Sequence, residues 1–126
     1  PLKSGRAADS DQSFLWPAGT CLAAQPFGPV PCDRPHRYEV TGAVDLTGRA
    51  AEPSPGEWEE IGWRGPCVQR AAEYLGRPLA AGGGVATTVL RLEPASWAAG
   101  SRQATCVIGR SDGKGTPVDS TGSVRG

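Results

Sequence analysis

Tyr38, Val40, Val44 and Leu46 occupy even positions of RYEVTGAVDL, opposite Arg37, Glu39, Thr41 and Asp45. An alternation of period two describes a half-buried strand, and Gly42 in its middle suits a bulge. The same period sets Ala86, Thr88, Leu90 and Leu92 on one side of VATTVLRL. In RQATCVI it sets Ala104, Cys106 and Ile108 on one side and Gln103 and Thr105 on the other. A shorter strand is expected over residues 19–23. Between the first two long strands the pattern changes. Ser54, Pro55 and Glu57 form a capping signature, with the serine as N-cap, proline at the first helical position and an acid three residues on. Trp58 and Ile61 share the face that follows. Gly62, Gly65 and Pro66 break this helix, and a second begins in which Cys67, Ala71 and Leu75 recur every four residues beside Val68 and Ala72. Gly76 sits where a helix C-cap belongs. The expected fold class is α+β: a small antiparallel sheet with one broken helix packed across it.

The flanks carry less pattern. Residues 1–13, PLKSGRAADSDQS, have little apolar material and read as a flexible linker, so a single domain is expected over residues 14–126, opening on Phe14, Leu15 and Trp16. Pro26, Pro29, Pro31 and Pro35 remove amide donors from AAQPFGPVPCDRP, which reads as an irregular, pinned loop. EPASWAAGSR is a connection broken by Pro94 and Gly100. By composition the tail GRSDGKGTPVDSTGSVRG is disordered, although Thr116, Val118 and Val124 leave room for a short edge strand.

Composition sharpens this picture at two points. Gly 18 and Pro 12 make nearly a quarter of 126 residues, and only 38% are hydrophobic, so the core is small. The four cysteines, Cys21, Cys32, Cys67 and Cys106, are an even set without the C-x2-C spacing of a zinc site. They read as two disulfides, with three connectivities open. The preferred one joins Cys21 to Cys32, because the ends of that Gly/Pro-rich loop can meet. It also joins Cys67 to Cys106, because one lies on the apolar stripe of the helix and the other on the inner face of the last strand. In the loop-entropy model such bridges contribute about 2.8 and 3.9 kcal/mol. Disulfides persist outside the cytoplasm, so an extracytoplasmic location is expected. With 13 basic against 13 acidic residues there is no nucleic-acid footprint, and no stretch is apolar enough to span a membrane. Membrane association is expected only through an anchor absent from this chain.

Candidate chemistry is sparse. His36 is the sole histidine, and Asp33, His36 and Glu39 in CDRPHRYEV could orient one another. No G-x-S-x-G or free cysteine accompanies them, so a hydrolase centred on His36 is the weakest reading. The preferred role is structural: Asp33 caps a turn by accepting from the His36 amide, and the imidazole bonds a nearby carbonyl or Glu39. His36 and Glu39 supply at most two metal ligands where zinc wants three or more, so no metal and no cofactor is expected. The Gly-rich run at 82–84 lacks a phosphate loop's remaining residues. Trp16, Trp58, Trp63 and Trp97 are chiefly core anchors, with Trp63, or Trp97 together with Arg102, as the candidate binding surface. Arg102 is read either as a partner of Asp33 or Glu39, or as a donor to the carbonyls of the preceding turn.

Six segments together resemble a known family: G-T-C-L at 19–22, V-P-C-D-x-P-H-x-x-E-V at 30–40, Y-L-G at 74–76, P-x-x-W-x-x-G-x-R at 94–102, C-x-I-G at 106–109 and the terminal T-G-S-V-R-G. In order and spacing they resemble the septum formation family of actinobacteria, over residues 19–126. The resemblance implies an extracytoplasmic domain tied to cell division or envelope growth, brings no catalytic residues, and implies that residues 116–126 pack on the domain. The expected function is a non-catalytic interaction domain whose partner is another envelope or division protein. The alternative is a module binding a small ligand or cell-wall glycan.

Overall fold

A computed structural model of the chain describes residues 16–49, 51–79, 84–111 and 117–125. The linker over 1–13, the start at Phe14 and Leu15, and Thr116 lie outside them. Among the described residues the elements run β1 (Cys21–Ala24), β2 (Phe27–Val30), β3 (Tyr38–Asp45), α1 (Pro55–Trp63), α2 (Pro66–Leu75), β4 (Val85–Leu90), α3 (Pro94–Ala98) and β5 (Gln103–Arg110). The strands form one antiparallel sheet in the order β2-β1-β3-β5-β4. The helix boundaries follow their sequence signals. Ser54 and Glu57 complete the capping box, and Gly76 ends α2 in the left-handed region at φ 76°. The predicted α+β class and broken helix are present, with the five-residue α3 added inside the connection to β5.

Both disulfides pair as expected, Cys21 with Cys32 and Cys67 with Cys106, at Cα separations of 5.3 and 5.2 Å. The second fastens α2 to β5, an inner strand between β3 and β4, and both of its half-cystines are fully buried. Gly62 sets how closely α1 meets β4: a Cβ there would lie 2.9 Å from the Val89 amide nitrogen.

Two segments depart from the sequence reading. The proline-rich stretch after Cys21 contains the edge strand β2, which pairs Phe27 with Ala24 and Val30 with Cys21. An edge strand needs only one row of ladder bonds, so proline is tolerated there. The second departure lies in β3, where register shifts between Val40 and Gly42. Ahead of the bulge Glu39 opposes Ile108 and Val40 opposes Val107; beyond it Gly42 opposes Cys106 and Val44 opposes Ala104. Directly paired residues share a face, so the bulge separates side chains that strict alternation put together. Val44 and Leu46 join Trp58, Cys67, Val89, Leu92, Trp97, Ala104 and Cys106 beneath the helices. Val40 joins Leu22 and Val107 on the other face, covered by Trp16, Phe27, Tyr38 and Leu90. In β4 the helix-facing residue is Val89, not Leu90, because the strand has apolar cover on both sides. The polar side of β3 is therefore not a solvent face, and Glu39 is 1% exposed.

Candidate functional site

The bulge leaves the Glu39 carboxylate under the last turn of α2, where the Tyr74 hydroxyl donates to Oε2 in a short hydrogen bond. The other donors come from the far end of the chain. Ser123 Oγ donates to Oε2 at 2.7 Å, and the Val124 amide donates to Oε1 at 3.0 Å. A buried carboxylate is costly unless its lone pairs are satisfied, and three donors meet that demand without a cation.

The segment carrying two of those donors is held along its length. Val118 N donates to the Arg110 carbonyl at 2.8 Å, and His36 and Ser120 exchange backbone bonds of 2.9 and 2.8 Å. Gly122 N donates to the Cys32 carbonyl at 2.7 Å. Arg37 pairs with Asp119 at 3.0 Å, and the Arg125 guanidinium lies 4.8 Å from the centre of the Tyr74 ring. Gly109 allows the approach: a Cβ there would sit 2.4 Å from the Arg37 carbonyl oxygen and 2.7 Å from Pro117 Cβ. Residues 117–125 pack on the domain, so composition alone misjudged this stretch. Its polar groups find partners on strands and loops distant in sequence.

Burial raises the Tyr74 phenol above its ordinary 10.0, and the hydrogen bond to Glu39 and that carboxylate's charge act in the same direction. A raised folded-state value means that the folded chain holds this proton more tightly than the unfolded chain. The stabilisation is complete below pH 10 and is lost as pH rises through the folded value. Denaturant titrations carried above pH 10 should show stability falling, and Tyr74→Phe should flatten that fall while lowering stability near neutrality by about 1.5–3 kcal/mol, the range for a bond to a charged group. Equal alkaline slopes for both proteins would remove Tyr74 from the account.

His36 is 4% exposed, and its Nδ1 lies 2.8 Å from the Arg34 carbonyl. A carbonyl only accepts, so Nδ1 carries a proton in this contact. The imidazole thus bonds a nearby carbonyl, one of the two partners expected for it. The turn departs from expectation, since the His36 amide donates to Ser120, not to the exposed Asp33 carboxylate. Cys21 Sγ, a ring nitrogen of His36 and a Glu39 oxygen all lie within 4.8 Å of one another. Because Cys21 is tied to Cys32, its sulfur is no thiolate ligand in this state.

The three candidate surface residues separate. Trp97 is 8% exposed and belongs to the core beneath the helices. Arg102 stacks 3.7 Å from the centre of its ring and donates to the Trp97 and Ser101 carbonyls, each at 2.8 Å. That pair locks the α3–β5 connection, which corrects its assignment to a binding surface and selects the turn-carbonyl reading of Arg102. Trp63, at the end of α1, is 55% exposed with Arg64 beside it. A shallow cleft of about 300 Å³ opens between the start of α1 and the β4–α3 connection, lined by Pro53, Pro55, Trp58, Arg91 and Leu92. Tyr74, Ser123 and Val124 were not among the sequence candidates. Their segments stand in the motifs Y-L-G and T-G-S-V-R-G, but nothing in either motif points to Glu39.

The fold and this polar centre define a disulfide-stapled α+β domain whose C-terminal segment is bound to a buried carboxylate. The chain belongs to the septum formation family, whose profile matches residues 2–61 and 48–126. It is similar to two proteins of Mycobacterium tuberculosis, from strains CDC 1551 / Oshkosh and H37Rv, each bearing the name uncharacterized membrane protein. Each is 38% identical over 133 aligned positions, covering 97% of this chain. The chain spans only 29% of the length of these relatives. No solved structure matches significantly. Among the described residues no helix is long and apolar enough to cross a membrane.

Proposed function

We propose that this chain is a non-catalytic, extracytoplasmic interaction domain that docks a second envelope or division protein during septum formation. The observation that carries this reading is Trp63, the one large apolar side chain among the described residues that stands more than half exposed. It projects beside Arg64 at the end of a helix whose outer side also bears Glu59 and Glu60, all exposed. A large indole ringed by charges has the composition of an interface hot spot, where few residues supply most of the binding energy. Two disulfides, and relatives named as membrane proteins, support placement outside the cytoplasm. The bonded state of all four cysteines and the carbonyl-bound His36 support a role without nucleophilic chemistry. A glycan-binding role has less support, because Trp58 in the cleft is only 3% exposed and offers no open ring for stacking.

Trp63→Ala tests this. Photo-crosslinking from position 63 in the native cell should capture a protein that the alanine variant no longer retains in a pulldown, with a weakening of tenfold or more, about 1.4 kcal/mol. The unfolding midpoint should not move, since the side chain is mostly solvated. Retention of the same partner by the variant would sink the assignment of this surface.

A further inference from the structure

The sequence offers His36 and Glu39 as two metal ligands, and the fold brings Cys21 to them. Cys32 is bonded to Cys21, so a fourth donor, the Cys32 sulfur, lies beside the cluster, 2.05 Å from Cys21 Sγ. We propose that opening the Cys21–Cys32 disulfide converts this cluster into a zinc-type divalent metal site with Cys21, Cys32, His36 and Glu39 as ligands.

Three features argue for it. The ligand atoms of Cys21, His36 and Glu39 already lie within 4.8 Å of one another, and a tetrahedral zinc asks for separations of about 3.3–3.8 Å, a contraction within the reach of side-chain torsions. The non-sulfur ligands have hydrogen-bond partners of the kind that support metal ligands. The Arg34 carbonyl holds a proton on Nδ1, so a neutral His36 would offer Nε2 to the metal, as zinc histidines bonded to outer-shell carbonyls do. On Glu39, Oε2 is taken by Tyr74 and Ser123, whereas Oε1 accepts only Val124 N among its hydrogen-bond donors and stands 4.0 Å from Cys21 Sγ. The third feature is access. Cys32 lies on a loop and is partly exposed, whereas Cys67 and Cys106 are both fully buried, so a reductant reaches the first bridge before the second.

The steps balance. A dithiol reductant delivers two electrons and two protons, the S–S bond of Cys21 and Cys32 breaks to give two thiols, and the reductant closes its own disulfide. The metal ion then displaces the two thiol protons and forms two metal–sulfur bonds, while neutral His36 and the Glu39 carboxylate complete the shell. In the oxidised protein the bridge blocks both sulfurs. Redox state thus decides whether the site exists.

Cobalt(II) reads the site directly, because thiolate ligation gives a charge-transfer band. The intact protein should bind no cobalt. After mild treatment with a phosphine reductant, with the second disulfide verified by mass, it should bind one ion per chain and show that band, and native mass spectrometry should show one zinc per chain. His36→Ala should weaken binding by about a hundredfold or more, beyond what loss of an outer-shell contact costs. Should the reduced chain unfold, Cys32→Ser decides the matter instead, since it frees Cys21 without any reductant and should bind cobalt through three ligands. Absence of the band in both proteins, or binding indifferent to His36→Ala, would overturn the proposal.

Discussion

Alanine at both Cys67 and Cys106 is expected to lower the unfolding free energy by at least about 4 kcal/mol. The bridge closes a loop of 39 residues' separation, and in the chain-entropy model a loop of about that size restricts the unfolded state by roughly 3.9 kcal/mol. The native side adds to this, because both half-cystines are fully buried where α2 meets β5 and their truncation leaves a void beside Trp58 and Val89. Small domains have about 5–15 kcal/mol in total, so the variant should be largely unfolded at moderate temperature. Urea titration measures both effects: the midpoint falls, and the slope rises because the uncrosslinked chain exposes more surface. A loss under about 1 kcal/mol would mean that packing alone holds the helix to the sheet, contrary to the loop-closure argument.

Glu39→Ala comes next, with an expected cost of about 3–5 kcal/mol. The carboxylate accepts from the Tyr74 hydroxyl, the Ser123 hydroxyl and the Val124 amide, and bonds to a charged acceptor are worth about 1.5–3 kcal/mol each before the chain relaxes. Relaxation recovers part of this, because Ser123 and Val124 can regain water when their segment lifts. The loss should therefore be local as well as global. The Val124 amide, slow to exchange in the parent, should exchange many-fold faster in the variant, and trypsin should cut after Arg110 before the rest of the domain is attacked. Glu39→Gln keeps one acceptor oxygen and should fall between parent and alanine variant. If exchange at Val124 is the same in all three proteins, the carboxylate is not what holds the C-terminal segment down.

These two sites differ in how far the chain announces them. The Cys67–Cys106 pairing follows from two periods meeting: a repeat of four puts Cys67 on the apolar stripe of α2, and a repeat of two puts Cys106 on the buried side of β5. The capping box at Ser54 and the left-handed end at Gly76 are equally legible, because their causes lie within a few residues. Glu39 is the opposite case. Alternation assigns it to the polar side of β3, which is correct as a parity and misleading as an environment. The bulge between Val40 and Gly42 exchanges the faces of the strand's two halves, and α2 covers the half that carries Glu39. Trp97 misleads in a similar way, since a tryptophan in a polar, glycine-bearing connection reads as exposed until α3 turns it inward.

The chain by itself determined the α+β class, the broken helix with its caps and the family, and it favoured one of three cysteine pairings that the fold then bore out. Only the tertiary structure decided that the proline-rich loop holds an edge strand, which bonds fasten residues 117–125 to the domain, and that Glu39 gathers Tyr74, Ser123 and Val124. The reason is physical. Caps and periodicities depend on neighbours a few positions away, whereas the partners of a buried polar group are selected by whatever the folded chain brings within about 3 Å, and those donors lie 35 to 85 residues away in sequence.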